Sequence, residues 1–115
     1  MELTVTNPQG PILECRVAGA LDRLETQAFI DALKQAIAPS TRGLILDCAA
    51  MPYMSSAGLR AIMIIGKTLM AQDARFILCG LSGLALEIYT ASGFSQIFPP
   101  VESMDDARAL LGEQA

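Results

Sequence analysis

The stretch "GLILDCA" at Gly43–Ala49 constrains the fold more than any other part of the chain. It is a short, nearly continuous apolar run between turn residues. Successive strand side chains point to opposite faces, so a strand apolar at consecutive positions must be covered on both. That is the mark of a parallel sheet with helices above and below it. "RFILCG" at Arg75–Gly80 has the same character.

The segments around these two runs supply the helices. In Leu24–Ala38, Phe29, Ala32, Leu33, Ala36 and Ile37 fall at helical spacing, and Pro39 with the "STRG" beyond it ends the pattern. Ser56–Ala71 and Gly83–Ala91 read as two further helices, and Asp105–Leu111 as a last one capped by Ser103. Ahead of them, Glu2–Thr6 and Ile12–Ala18 alternate polar and apolar residues, as half-buried strands do. "NPQG" between them has the residue order of a type I turn, so the two should form an antiparallel hairpin. A short extended piece is expected at Ile97–Phe98, stopped by Pro99-Pro100. The order β-β-α-β-α-β-α-(β)-α defines an α/β fold: a small mixed, mostly parallel sheet with an N-terminal antiparallel hairpin and about four helices. With no linker, repeat or low-complexity stretch, residues 1–115 read as one domain.

Composition removes several functions. The chain has no histidine, so no Ser-His or Cys-His pairing can form within it, and a zinc site would lack imidazole; no metal site is expected. The formal charge is −4 and the eight Lys and Arg form no basic stripe, which argues against nucleic-acid binding. Cys15, Cys48 and Cys79 make no CxxC pair and fall in or at the ends of strands, as buried inert thiols in a reducing compartment do. The N-terminus "MELTVTNPQG" has no signal-peptide pattern, and the longest apolar run, Ala61–Ile65, is too short for direct membrane insertion. A cytoplasmic location is the expectation.

In open α/β sheets, sites gather beyond the carboxyl ends of the strands. The turn after Leu44–Cys48 leads into "PYMSSAGLRAIM" at residues 52–63, where Ser55 and Ser56 stand at the start of a helix. Three readings compete. A serine here caps the helix, and replacing such a cap (Ser56, if it is the one) costs ~1 kcal/mol. A catalytic elbow needs G-x-S-x-G, whereas Met54 and Gly58 flank Ser56 and no histidine is present to act as base. Finally, a helix N-terminus tolerates an added phosphate, and Arg60 one turn further on can pair with it.

The residues "YMSSAGLRAI" following "GLILDCAAM" resemble the signature of STAS domains, and more narrowly that of the bacterial anti-sigma factor antagonists. "GALD" at Gly19–Asp22 resembles the family's G-x-L-D after its second strand. "LSGLALEIYTASGFSQIF" at Leu81–Phe98 resembles its third helix, with a Ser-Gly-Leu/Phe stop and the short strand beyond. The resemblance covers nearly the whole chain. It implies a binding protein rather than an enzyme, without a cofactor. It also implies an acceptor serine, which here is Ser56, phosphorylated by a cognate serine kinase that often doubles as the anti-sigma factor. The unphosphorylated form binds that kinase, and a metal-dependent phosphatase resets the switch. The implied contact surface comprises Asp22, Ser55, Ser56, Ala57, Gly58, Leu59 and Arg60. Many members have Asp immediately before the acceptor, where this chain has Ser55, which is thereby a second candidate acceptor. A STAS module that binds partners without phosphorylation, as a transporter accessory or scaffold, is the alternative.

Three further features have two readings each. Asp22-Arg23-Leu24-Glu25 has capping-box spacing, so Asp22 is a helix cap, a partner contact, or both. "AIMII" at Ala61–Ile65, near Met51, Met54, Met63 and Met70, is a covered helix or an exposed docking patch. "GLSG" at Gly80–Gly83 is a turn into a helix; it lacks the lysine and length of a phosphate loop.

Overall fold

The computed structural model describes residues 1–7 and 10–112. Strands β1 (Glu2–Val5) and β2 (Ile12–Ala18) form the expected antiparallel hairpin, with Leu3 opposite Val17 and Val5 opposite Cys15. The type I turn expected between them runs over Pro8 and Gln9, outside the described residues. β2 pairs in parallel with β3 (Gly43–Ala50), and β3 in parallel with β4 (Arg75–Cys79). The result is one sheet in the order β1-β2-β3-β4. Helices α1 (Thr26–Ala36), α2 (Ser56–Met70), α3 (Gly83–Ala91) and α4 (Met104–Gly112) complete the fold.

The burial of β3 explains its composition. Leu44, Leu46 and Cys48 enter the larger core, with Phe29 and Leu33 of α1, Ile62, Ile65 and Leu69 of α2 and Tyr89 of α3. Ile45 faces the other way and joins Ile77 and Cys79 of β4 against Ala107 and Leu111 of α4. Both faces of the parallel strands are therefore covered. β2 alternates because only Leu13, Cys15 and Val17 reach the larger core. On its other face the Glu14 carboxylate takes two hydrogen bonds from Arg108 of α4, at 2.9 Å from Nε and 2.8 Å from Nη2. Ser103 caps α4 as expected, its hydroxyl accepting from the Asp106 amide at 3.1 Å.

Two elements differ from expectation. α1 starts at Thr26 rather than Leu24, because Asp22 Oδ1 accepts from the Leu24 amide at 3.0 Å and closes a turn that leaves Leu24 84% exposed. Ile97–Phe98 is not extended. Gly93, at φ +86°, ends α3 and starts a 3₁₀ turn over Phe94–Gln96, and the Phe98 amide donates back to the Phe94 carbonyl at 2.9 Å. Pro99 and Pro100 have no N–H to give a ladder. The first amide that can donate is that of Val101, which bonds to Leu78 at 2.9 Å and makes the bridge to β4.

Of "AIMII", Ala61, Ile62, Met63 and Ile65 are buried and Ile64 is half-buried, so the stretch is mostly covered core; Met51 and Met54 are buried with it, whereas Met70 is exposed. All three cysteines are buried and unpaired. Burial pushes the Cys15 thiol up to about 12 and the Cys79 thiol up to about 11, and it raises Cys48 as well, which disfavours the reactive thiolate at each. "GLSG" forms the turn into α3.

Candidate functional site

The turn between β3 and α2 is fastened to the loop that follows β2. The Leu21 amide donates to the Tyr53 carbonyl at 3.0 Å, and the Ser55 amide donates to the Leu21 carbonyl at 2.9 Å. These bonds extend the parallel β2–β3 pairing beyond the irregularity at Arg16–Ala18, with Leu21 bridged to Met54. Asp22 and Ser56 each follow a residue of this clamp, so the two loops present them along one edge. Gly58 permits the closeness. A Cβ there would lie 2.3 Å from the Leu21 carbonyl oxygen, so no other residue allows α2 to start against this backbone without a shift.

The two serines divide the work. Ser55 is the N-cap of α2, with extended backbone and a hydroxyl that accepts from the Gly58 amide at 3.1 Å. It is half-buried, and its hydroxyl also lies 3.5 Å from the Leu21 carbonyl. Ser56, the first residue of α2, is exposed and its hydroxyl has no hydrogen-bond partner among the described residues. Capping therefore belongs to Ser55 and not to Ser56. The amides of Ser56 and Ala57 have no acceptor among the described residues, which leaves two donors at the positive end of the helix.

The capping-box reading of Asp22 does not hold. Its carboxylate bonds to Leu24, outside α1, and the residue before that helix is Glu25, which makes no side-chain cap. Asp22 is half-buried and follows Leu21, whose backbone is bonded to Tyr53 and Ser55. Ala57 and Leu59 are half-buried, Gly58 is buried and Arg60 is exposed. Arg60 makes no ion pair or side-chain hydrogen bond among the described residues. No group of three or more Cys, Asp or Glu is placed to hold a metal ion among them.

A groove of about 380 Å³ runs from this edge along α2. Ser56, Leu59, Arg60, Met63 and Lys67 form one wall, at helical spacing, and Phe94 and Ile97 form the other. The sequence reads Met63 as part of a covered helix or a docking patch; Lys67, Phe94 and Ile97 are not among the residues that it singles out as a surface. The 56-60-63-67 stripe was available in the α2 sequence. The second wall was not, because it depends on the 3₁₀ turn.

A four-stranded mixed sheet, antiparallel at β1–β2 and parallel beyond, with four helices is the STAS arrangement. The STAS domain family profile matches residues 4–107, and the chain belongs to that family. It is 29% identical over 109 residues to BtrV of Bordetella bronchiseptica, named as an anti-sigma factor antagonist; the match covers 95% of this chain and 93% of that protein. The fold matches the unphosphorylated form of the Bacillus anti-sigma factor antagonist SpoIIAA with a TM-score of 0.81 at 17% identity, over 96% of this chain and 97% of that one. SpoIIAA has also been solved phosphorylated. A domain of the murine anion transporter Slc26a9 matches with a TM-score of 0.77 at 16% identity, over 91% of this chain and 18% of the transporter. No helix among the described residues is long and apolar enough to cross a membrane.

Proposed function

We propose that this protein is a phosphorylation-switched antagonist. With Ser56 unmodified it binds a serine kinase that serves as an anti-sigma factor, through Asp22 and the residues Ser55–Arg60. Phosphorylation of Ser56 ends the binding, and a metal-dependent phosphatase restores it. The chain itself is the substrate and the binding partner, not the catalyst. The observation that carries this reading is the contrast between the two serines. Ser55 is committed to the helix start and half-buried, whereas the Ser56 hydroxyl is exposed and unengaged. A phosphate on Ser56 would add about −1.5 to −2 charges at a surface meant for another protein. The free amides of the α2 start, its dipole and Arg60 would accommodate that charge within the fold. Likeness to BtrV and to SpoIIAA, known in both phosphorylation states, supports the same choice.

The test is incubation with ATP and the anti-sigma-type kinases of the source organism, followed by peptide mapping. A phosphoryl mass gain confined to Ser56, absent in Ser56→Ala, is the expected result; a kinase that binds the chain yet leaves both serines unmodified refutes the switch. In that event the second reading stands, a STAS module that binds without modification, which the Slc26a9 match favours.

A further inference from the structure

We infer that the groove along α2 docks an acidic amphipathic helix of a partner protein, its carboxylates meeting Arg60 and Lys67 and its apolar residues lying between them. For the effect of Ser56 this rests on the switch proposed above; the docking itself does not. Arg60 and Lys67 are seven residues apart, two turns or about 10 Å along the helix axis. They flank an apolar stretch formed by Phe94 and Ile97 on the opposite wall, with Met63, only 7% exposed, contributing its edge between the two cations. Neither cation has an ion-pair partner among the described residues, in a chain whose formal charge is −4. Ile97 is 53% exposed, a large apolar side chain left at the groove wall. Two unneutralised cations bracketing apolar surface fit carboxylates spaced i, i+7 on a second helix, with apolar residues at the intervening turn. The geometry also links the groove to the switch. Ser56 lies one turn before Arg60 on the same wall, so a phosphate there pairs with the guanidinium and removes the first anchor from the incoming helix.

The probe is a fluorescein-labelled helical peptide of about 15 residues with two glutamates seven apart and leucines between them, read by fluorescence anisotropy. Saturable binding is expected, weakened about tenfold in the double variant Arg60→Glu/Lys67→Glu and recovered when lysines replace the glutamates of the peptide. Circular dichroism checks that the variant is folded, which the exposure of both side chains favours. Ile97→Asp should weaken the glutamate peptide without responding to the lysine one. No binding to the unmodified protein, equal binding to the double variant, or failure of the lysine peptide to recover it overturns the inference. Self-association abolished by Ile97→Asp, with no peptide bound, overturns it in favour of a second copy. The two proposals fail separately. If Ser56 accepts phosphate and the peptide does not bind, the groove reading falls alone; if the peptide binds and no kinase modifies Ser56, the switch falls alone.

Discussion

Gly58→Ala sets two well-known effects against each other and lets the structure decide the sign. In a helix interior, alanine in place of glycine stabilises by about 1 kcal/mol. At position 58, however, the new Cβ would sit 2.3 Å from the Leu21 carbonyl oxygen and 3.0 Å from Leu21 Cγ. Ordinary contact begins at 3.4 Å, so the two backbones must part by the difference, 3.4 minus 2.3, or 1.1 Å. The hydrogen bond from the Ser55 amide to that same carbonyl is 2.9 Å long and does not survive such a displacement. Overpacking of this kind costs about 1–3 kcal/mol, and losing the hydrogen bond adds about 1. Set against the gain in propensity, the net loss is about 1–3 kcal/mol, or roughly 5–15 °C in Tm. Urea denaturation followed by circular dichroism measures it. Gly112→Ala is the control, because a Cβ at Gly112, the last residue of α4, meets nothing within 4 Å among the described residues and should change stability little. A Gly58→Ala protein as stable as its parent, with its β3–α2 turn unmoved, would refute the claim that this glycine exists to let α2 approach Leu21.

Two other expectations rest on single contacts. Ser55→Ala should lose about 1 kcal/mol of stability and Ser56→Ala less than about 0.5, measured by the same denaturation; equal losses would contradict the assignment of the cap. Hydrogen bonds from Arg108 hold the Glu14 carboxyl below the usual carboxylate value of 4.5. Its folded value is thus lower than its unfolded one. The pairing stabilises above about pH 4.5 and is lost as pH falls through the depressed folded value. Glu14→Gln should therefore flatten the acid limb of the stability–pH curve, and an unchanged limb would show that the contact between β2 and α4 carries no linkage.

The order of strands and helices was legible because burial leaves a direct imprint on composition. β3 is buried on both faces and reads as a continuous apolar run; β2 is covered by the main core on one face and alternates. The start of α1 and the piece at Ile97–Phe98 were misplaced for a different reason. Apolar spacing says which residues share a face, yet says nothing of a side chain that captures a backbone amide first. Asp22 does this to Leu24, and Gly93 turns the chain so that Phe98 bonds back to Phe94. The Asp22 reading failed on the same physics: the spacing of a capping box was present, and a shorter turn claimed the carboxylate. At the site, the strand-turn-helix position of Ser55 and Ser56 was plain in the sequence. Which of them caps the helix was not, since either position suits a serine and only the fixed Leu21 carbonyl selects one.

That selection bears on why a pair of serines can stand where one would cap. A residue that is chemically modified in the folded state must not be needed to hold the fold. If a single serine both capped α2 and took the phosphate, modification would remove the bond to Gly58, worth about 1 kcal/mol, each time the switch turned. Here Ser55 keeps the cap and is tied to the Leu21 loop, while Ser56 sits one residue on, with its hydroxyl free. In the proposed switch, charge added at Ser56 would be felt by Arg60, by the amides at the helix start and by whatever protein approaches, with the strand pairing behind it left intact. Exchanging these roles, with Ser55 replaced by alanine and Ser56 phosphorylated, should produce a chain whose helix start frays on hydrogen exchange although its sheet stays protected. Frayed amides throughout the sheet would mean that the turn supports the fold far more than this division of labour allows.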